Sequence, residues 1–458
     1  MRYRPGSLVL LIAILTFGTL LTGHCFLLPA KAPAAPEDKP KTQAEGLKKR
    51  AIGLVVSPLP DWFMFQSKDT VNGWINSEDN KAIVNHAWEL WGALTSLTNQ
   101  ELNGQKVPIY ETWWDADEVL LAPGLRKAAL PGIRRFHRPV QFRHAAKARS
   151  ATVPEPSRLP NTLFDIVKYN DDIKKHVDQF KYYDHTVLDG INDNWPQGTP
   201  IADRKLQDFP DTSVMLKPVY RRVSGTAVTI LPYWAGPVNS TTPSTPGPTT
   251  WTKKMAVVPP DCGLALGAVK IREGGEDLPA VPVNQFYNIK LTKEEAAALN
   301  PPAKEGDYMI LVGMHVSSRE IDNWTWQTFW WSFEKPAIPP AVKYRVQAPF
   351  DHYQVAVGYT FMTGRGGDNQ DNPDSLPTVC FNPYLEANFG NDVFIRPGQL
   401  GIESNCMSCH RCAAWPATSA TQQNPNYIAN GLVDPGDPTV FAGKTKTDFS
   451  WGVADGRP

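Results

Sequence analysis

DYMILVGMHV, residues 307–316, decides how the rest of the chain reads. Strict alternation would put Met309, Leu311, Gly313 and His315 on one face and Ile310, Val312, Met314 and Val316 on the other. Both sets are largely apolar, so the stretch predicts a strand buried on both sides. SVMLKPVYRRV (213–223), GTAVTILPYW (225–234) and YQVAVGYTFM (353–362) are rich in the same β-branched and aromatic residues and read as further strands.

Helical signals are fewer. Over Asn80–Leu97, Val84, Trp88, Trp91 and Leu94 recur at helical spacing and give one aromatic-rich face suited to core packing. Thr292 with Glu295 forms a capping box that opens a short helix over LTKEEAAALN. Runs of strands with peripheral helices point to an α+β fold with a β-rich main region at 55–400 and a small helical or loop segment at 401–458. The 42 prolines favour loops and short strands over long helices. VNSTTPSTPGPTT (238–250) is too rich in Ser, Thr, Pro and Gly to be regular. Asp368, Asp371 and Asp374 in GRGGDNQDNPD (364–374) have oxygen ligands in common with calcium loops but lack the full ligand pattern, and read as a polar turn.

Charge excludes one function class. Lys plus Arg and Asp plus Glu number 46 each, so the whole chain offers no case for binding nucleic acid. Locally, residues 121–160 hold Arg126, Lys127, Arg134, Arg135, Arg138, Arg143, Lys147, Arg149 and Arg158 against Glu155. Such an insertion reads as a solvated loop or as a basic arm that docks an acidic redox partner protein.

The first 32 residues read as an export signal. Arg2 and Arg4 precede a mostly apolar run, Leu8 to Leu28, and Ala30-Lys31-Ala32 supplies a small-x-small cleavage site. If uncleaved, the run would anchor the chain in a membrane, with the remainder outside the cytoplasm in either case. Residues 33–54 read as a linker. The expected location is a bacterial periplasm.

CMSCH, Cys406 to His410, follows the attachment pattern of a c-type haem. Two thiols about one helical turn apart can add to the two vinyl groups on one edge of the porphyrin. The next residue then brings an imidazole to the iron. Cys406 and Cys409 are therefore the expected thioether sites of one covalent haem c and His410 the proximal ligand, with Ser404 as helix cap and Pro416 as its stop. Rival readings are a dithiol redox motif, an iron–sulfur site over the CxxCxxC of Cys406, Cys409 and Cys412, and a zinc site of those cysteines with His410. The first lacks a βαβ setting upstream, the second a fourth nearby cysteine, and in the third adjacent Cys409 and His410 would share one metal awkwardly. Of the six cysteines, Cys25 falls within the export segment and Cys262, Cys380 and Cys412 remain, enough for one disulfide of undetermined pairing.

No His or Met follows His410, so a distal ligand of either type must come from upstream. His315 is the first candidate, ahead of Met309, Met314, His352 and Met362. Trp324, Trp326, Trp330 and Trp331 follow His315 closely, and Trp326 is the expected wall of a haem pocket. A six-coordinate iron would transfer electrons. A five-coordinate one would make the protein a haem enzyme or a gas-binding protein, and a third reading is a binding module with structural haem.

SNCMSCHRCAAWP, TDFSW (447–451), ETWWDADEV (111–119), LVGMHVSSRE (311–320), WTWQTF (324–329) and VGYTF (357–361) resemble a group of bacterial periplasmic single-haem cytochrome c proteins with the motif near the carboxyl end. The resemblance implies covalent haem at Cys406, Cys409 and His410, export and a large β-rich region. It implies no substrate. The 121–160 insertion and Cys412 depart from the pattern.

Overall fold

The computed structural model describes residues 53–122, 134–138, 162–235, 251–260, 263–361, 378, 380–385, 405–417 and 433–455. The export segment, the 238–250 and 364–374 stretches, Cys262, Met362 and most of the basic insertion lie outside them.

Two helices lead the described chain, α1 (Lys68–Asn76) and α2 (Asn80–Thr95). Asp79 caps α2 by accepting from the Ala82 N–H at 3.0 Å. The aromatic face foreseen for α2 is buried at Trp88, Trp91 and Leu94, while Val84 lies at its margin. A hairpin of β1 (Leu97–Leu102) and β2 (Gln105–Pro108) follows.

Eight strands make the main sheet: β3 (Trp114–Asp115), β4 (Leu163–Asp165), β5 (Lys168–Tyr169), β6 (Val214–Val223), β11 (Asn288–Lys290), β12 (Tyr308–Ser318), β13 (Thr325–Trp331) and β14 (Tyr353–Val357). Between β6 and β11 the chain builds a smaller sheet from β7 (Thr229–Pro232), β8 (Lys254–Val258), β9 (Lys270–Glu273) and β10 (Glu276–Pro282), in the order β7-β8-β10-β9. The main sheet runs β14-β13-β12-β6-β5-β3, with β11 added on β12 and β4 on β6, and its pairings are antiparallel. This is the α+β class, β-rich with short helices. Helices α3 (Asp171–Phe180), α4 (His185–Asp193) and α5 (Lys293–Ala298) lie between strands in the chain, and α5 carries the foreseen capping box of Thr292 and Glu295.

β12 is buried along nearly its whole length, as its composition predicts. Its alternation is not strict. Leu311 faces Tyr220 on β6 while Gly313 faces Val219, so Val312 is the extra residue of a bulge. Residues before and after it exchange faces: Met309 and Leu311 share a side with Met314, whereas Gly313 and His315 look the other way. On the Met314 side, α2 covers the sheet. Trp91 stacks on Phe329 at 4.2 Å between ring centres, and Trp88 meets the same ring edge-on at 5.7 Å. On the His315 side sits Asn382, whose Nδ2 donates to Thr328 Oγ1 at 3.0 Å and to the Phe329 carbonyl at 2.9 Å.

GTAVTILPYW is a strand only from Thr229. Upstream, Ser224 Oγ accepts from the N–H groups of Thr226 and Ala227, which turns the chain out of the ladder. Gly225 lies so close to Gly306 that a Cβ would sit 2.0 Å from its carbonyl oxygen.

The described part of the basic insertion differs from a free arm. Arg134 is 3% exposed and bonds Glu111 at 3.1 Å, with Glu295 at 3.7 Å. Arg135 pairs with Asp117 at 3.0 Å, and Arg138 donates to the Leu163 carbonyl at 2.6 Å. The buried carboxylates of Glu111 and Glu295 draw Arg134 inward, because an unpaired charge at such depth would cost several kcal/mol. Arg134 is therefore a core residue and no part of a docking surface.

Candidate functional site

CMSCH opens α6 (Cys406–Arg411). Its cap is Asn405, one residue beyond the expected Ser404: Asn405 Oδ1 accepts from the Met407 N–H at 2.8 Å. The same side chain donates to the carbonyls of Thr378 at 2.7 Å and Thr360 at 3.3 Å. Cys380 adds a parallel bridge to Asn405, so the helix start is tied to the chain that follows β14. The helix ends at Arg411, well before Pro416, with Cys412 as its C-cap.

Helical geometry sorts the motif into two faces. Met407 and Ser408 are wholly buried. Met407 packs with Trp324, Trp326, Phe361, Trp415 and Val453, so α6 shares a core with the strands of the main sheet. Cys412 is buried in a separate cluster with Val440 and Phe441 and turns its sulfur to the Ser408 carbonyl, 3.7 Å away. Cys406, Cys409 and His410 stand at the i, i+3, i+4 spacing and remain half-buried together. The helix thus holds two thiols and an imidazole on one accessible face and points its third cysteine elsewhere.

His410 is held in one tautomer. Its Nδ1 lies 2.8 Å from the Phe449 carbonyl oxygen, which can only accept, so Nδ1 carries the proton and Nε2 the lone pair. Burial pulls the imidazole down to about 3, with the bond to Phe449 acting the other way, so the ring is neutral near neutrality. The carbonyl is aimed by backbone in an uncommon state. Asp448 and Phe449 have φ of 44° and 64°, in the left-handed region. Asp448 is fixed there because its Oδ2 accepts from the Phe209 N–H at 2.9 Å and from Arg319 Nε at 3.0 Å. Trp326 lies beside His410 with ring centres 4.4 Å apart, and Phe449 is 6.2 Å from Trp326. Trp451 Nε1 donates to the Cys409 carbonyl at 3.2 Å. Arg411 lies over the Phe361 ring at 4.8 Å and donates to Asn323 Oδ1 at 3.2 Å.

His315 reaches the site as well: its Nδ1 is 4.0 Å from Cys406 Sγ. The bulge at Val312 puts it there. The other proposed distal residues go elsewhere. Met309 and Met314 are in the core on the opposite side of β12, and His352 is buried beside Trp331, its Nδ1 3.3 Å from the Ser332 carbonyl. Among the four tryptophans Trp326 meets His410, while Trp331 packs at a tilt against Phe286, 4.3 Å between ring centres.

Two partners at this site were not foreseen. Cys380 Sγ lies 3.9 Å from Cys406 Sγ, and the Cys406 thiol also reaches the Cys380 carbonyl at 3.4 Å. The hydrogen bond to Cys380 and burial together hold the Cys406 thiol well above its ordinary range. The Phe449 carbonyl is the second: a backbone atom has no signature in a sequence, although TDFSW is part of the resemblance. A buried polar group on the opposite side of the sheet was also missed. His86 bonds Tyr359 OH at 2.7 Å and Glu320 at 3.1 Å, and Ser318 links Glu320 to Thr325. Glu320 and His86 are far apart in sequence, and although Glu320 closes LVGMHVSSRE, nothing in that stretch points to His86.

The donor set fits a c-type haem. Both thiols are free of disulfides, they share a face with the imidazole, and the second ring nitrogen of His410 has the carbonyl partner usual for a metal-bound histidine. Among the described residues, no group of three or more His, Cys, Asp and Glu is arranged to hold a metal ion by itself. Also among the described residues, no helix is long and apolar enough to cross a membrane. No family model matches the chain, and neither the curated proteins nor the solved structures searched contain a match.

Proposed function

We propose that this protein is an exported c-type cytochrome carrying one covalent haem, and that it transfers electrons to or from a periplasmic redox partner. The observation that supports it most is the 2.8 Å bond from His410 Nδ1 to the Phe449 carbonyl, on the helix face that also carries Cys406 and Cys409. Covalent haem held at that face would supply an iron centre able to gain and lose one electron.

The chain's own residues have the remaining work. Cys406 and Cys409 would hold the group by thioether bonds, and neutral His410 would offer Nε2 as proximal ligand. The Phe449 bond orients the imidazole and raises its basicity. Trp326 lies against His410 and limits water there. Among the described candidates, His315 is the one that reaches the site and could act as a distal ligand. Arg411, pinned by Phe361 and Asn323, keeps a positive charge next to the ligand.

An optical spectrum of the reduced, haem-loaded protein with and without carbon monoxide tests this reading. A six-coordinate spectrum that carbon monoxide leaves unchanged is expected, and His315→Ala should open the iron to the gas. Ready carbon monoxide binding by the unaltered protein would replace the electron carrier with the gas-binding or enzymatic reading.

A further inference from the structure

We propose that Cys380 and Cys406 form a disulfide in the chain before haem is joined to it, which makes Cys380 the guard of one haem-attachment thiol. The geometry is already close. The sulfurs are 3.9 Å apart, and the parallel bridge between Cys380 and Asn405 sets the backbones side by side next to Cys406. A disulfide needs its sulfurs at ~2.0 Å, a gap that side-chain rotation can close when the backbones are adjacent. On the β14 side the backbone packs close to Cys380, since a Cβ on Gly358 would lie only 2.9 Å from Cys380 Cβ and 3.4 Å from its Sγ. Cys412, the other buried described cysteine, packs in a separate cluster and faces the Ser408 carbonyl.

The chemistry balances with a disulfide oxidant as co-reactant. One of the two thiolates attacks the oxidant's S–S bond and expels one of its sulfurs as a thiol. The second attacks the mixed disulfide, expels the other oxidant sulfur and closes the Cys380–Cys406 bond. Two electrons pass to the oxidant, and two protons leave the cysteines. His315 Nδ1, 4.0 Å from Cys406 Sγ, is the base placed to take the proton from Cys406. A dithiol reductant reverses the step and frees Cys406.

The pairing belongs to the haem-free chain and does not need the cytochrome reading. Where that reading also holds, one sulfur has two exclusive fates, and haem joins Cys406 only after reduction. The test uses purified, full-length, haem-free protein equilibrated with oxidised glutathione. Free thiols are then trapped at low pH by alkylation, and the digest is mapped by mass spectrometry without reduction. The expected product is a linked peptide containing Cys380 and Cys406, abolished by dithiothreitol. Cys406 recovered alkylated, glutathionylated, or linked to Cys409 as the main product would overturn the proposal.

Discussion

Gly313 carries a constraint out of proportion to its size. A Cβ there would lie 2.5 Å from Asn382 Nδ2 and 2.9 Å from Oδ1, on the side of the sheet where His315 meets Cys406. Gly313→Ala would push Asn382 off Thr328 and the Phe329 carbonyl. A loss of about 1–3 kcal/mol is expected in urea unfolding, and a variant as stable as the parent would show that Asn382 moves freely. Three imidazoles set a pH dependence in the haem-free chain. Burial holds His410, His352 and His176 below the ordinary 6.5, each against a backbone hydrogen bond that raises it. Their neutral forms are preferred in the fold, so the stability they contribute is complete above about pH 6.5 and is lost as pH falls below it. His137, raised by its bond to Asp117, works in the opposite direction. The urea midpoint of the haem-free chain should therefore fall below about pH 6.5, and His352→Gln should flatten that fall. An unchanged slope in the variant would remove His352 from the account.

At the scale of elements, the last turn before α7 (Trp451–Asp455) does what the motif helix cannot do alone. It aims the Phe449 carbonyl at His410 from left-handed backbone that Asp448 secures through Arg319. Asp448→Ala would leave Arg319 with its more exposed carboxylates, Asp208, Asp211 and Asp322. Removing one partner of a buried pair typically costs about 3–5 kcal/mol; the remaining carboxylates reduce it, so ~2–4 kcal/mol is expected here, with a shifted spectrum of the haem-loaded protein as His410 loses its orientation. An unaltered spectrum would separate the turn from the ligand. The strands were legible because burial on both faces leaves a continuous apolar run, as in β12, and α2 was legible from its Trp spacing. The bulge at Val312 was not, since an inserted residue changes facing without changing composition. That is why alternation grouped His315 with Met309, on the wrong side. The motif made Cys406, Cys409 and His410 readable locally. Cys380 and Phe449 join them only through tertiary contact, and the inward turn of Arg134 followed from carboxylates distant in sequence.

For the whole molecule, the carboxyl-terminal helix is part of the fold's interior. Met407, Trp415 and Val453 share one core with Tyr169, Trp324 and Trp326, so the site rests on strands from across the chain. That arrangement would seat a group joined to Cys406 and Cys409, and the proposed function depends on that group being haem. The most direct measurement is the intact mass and visible spectrum of the protein exported in a host with working cytochrome maturation. The account predicts a red protein heavier than its processed polypeptide by one haem, retained after acid–acetone extraction and lost in the Cys406→Ser, Cys409→Ser double variant. A colourless product with the mass of the bare polypeptide would contradict it.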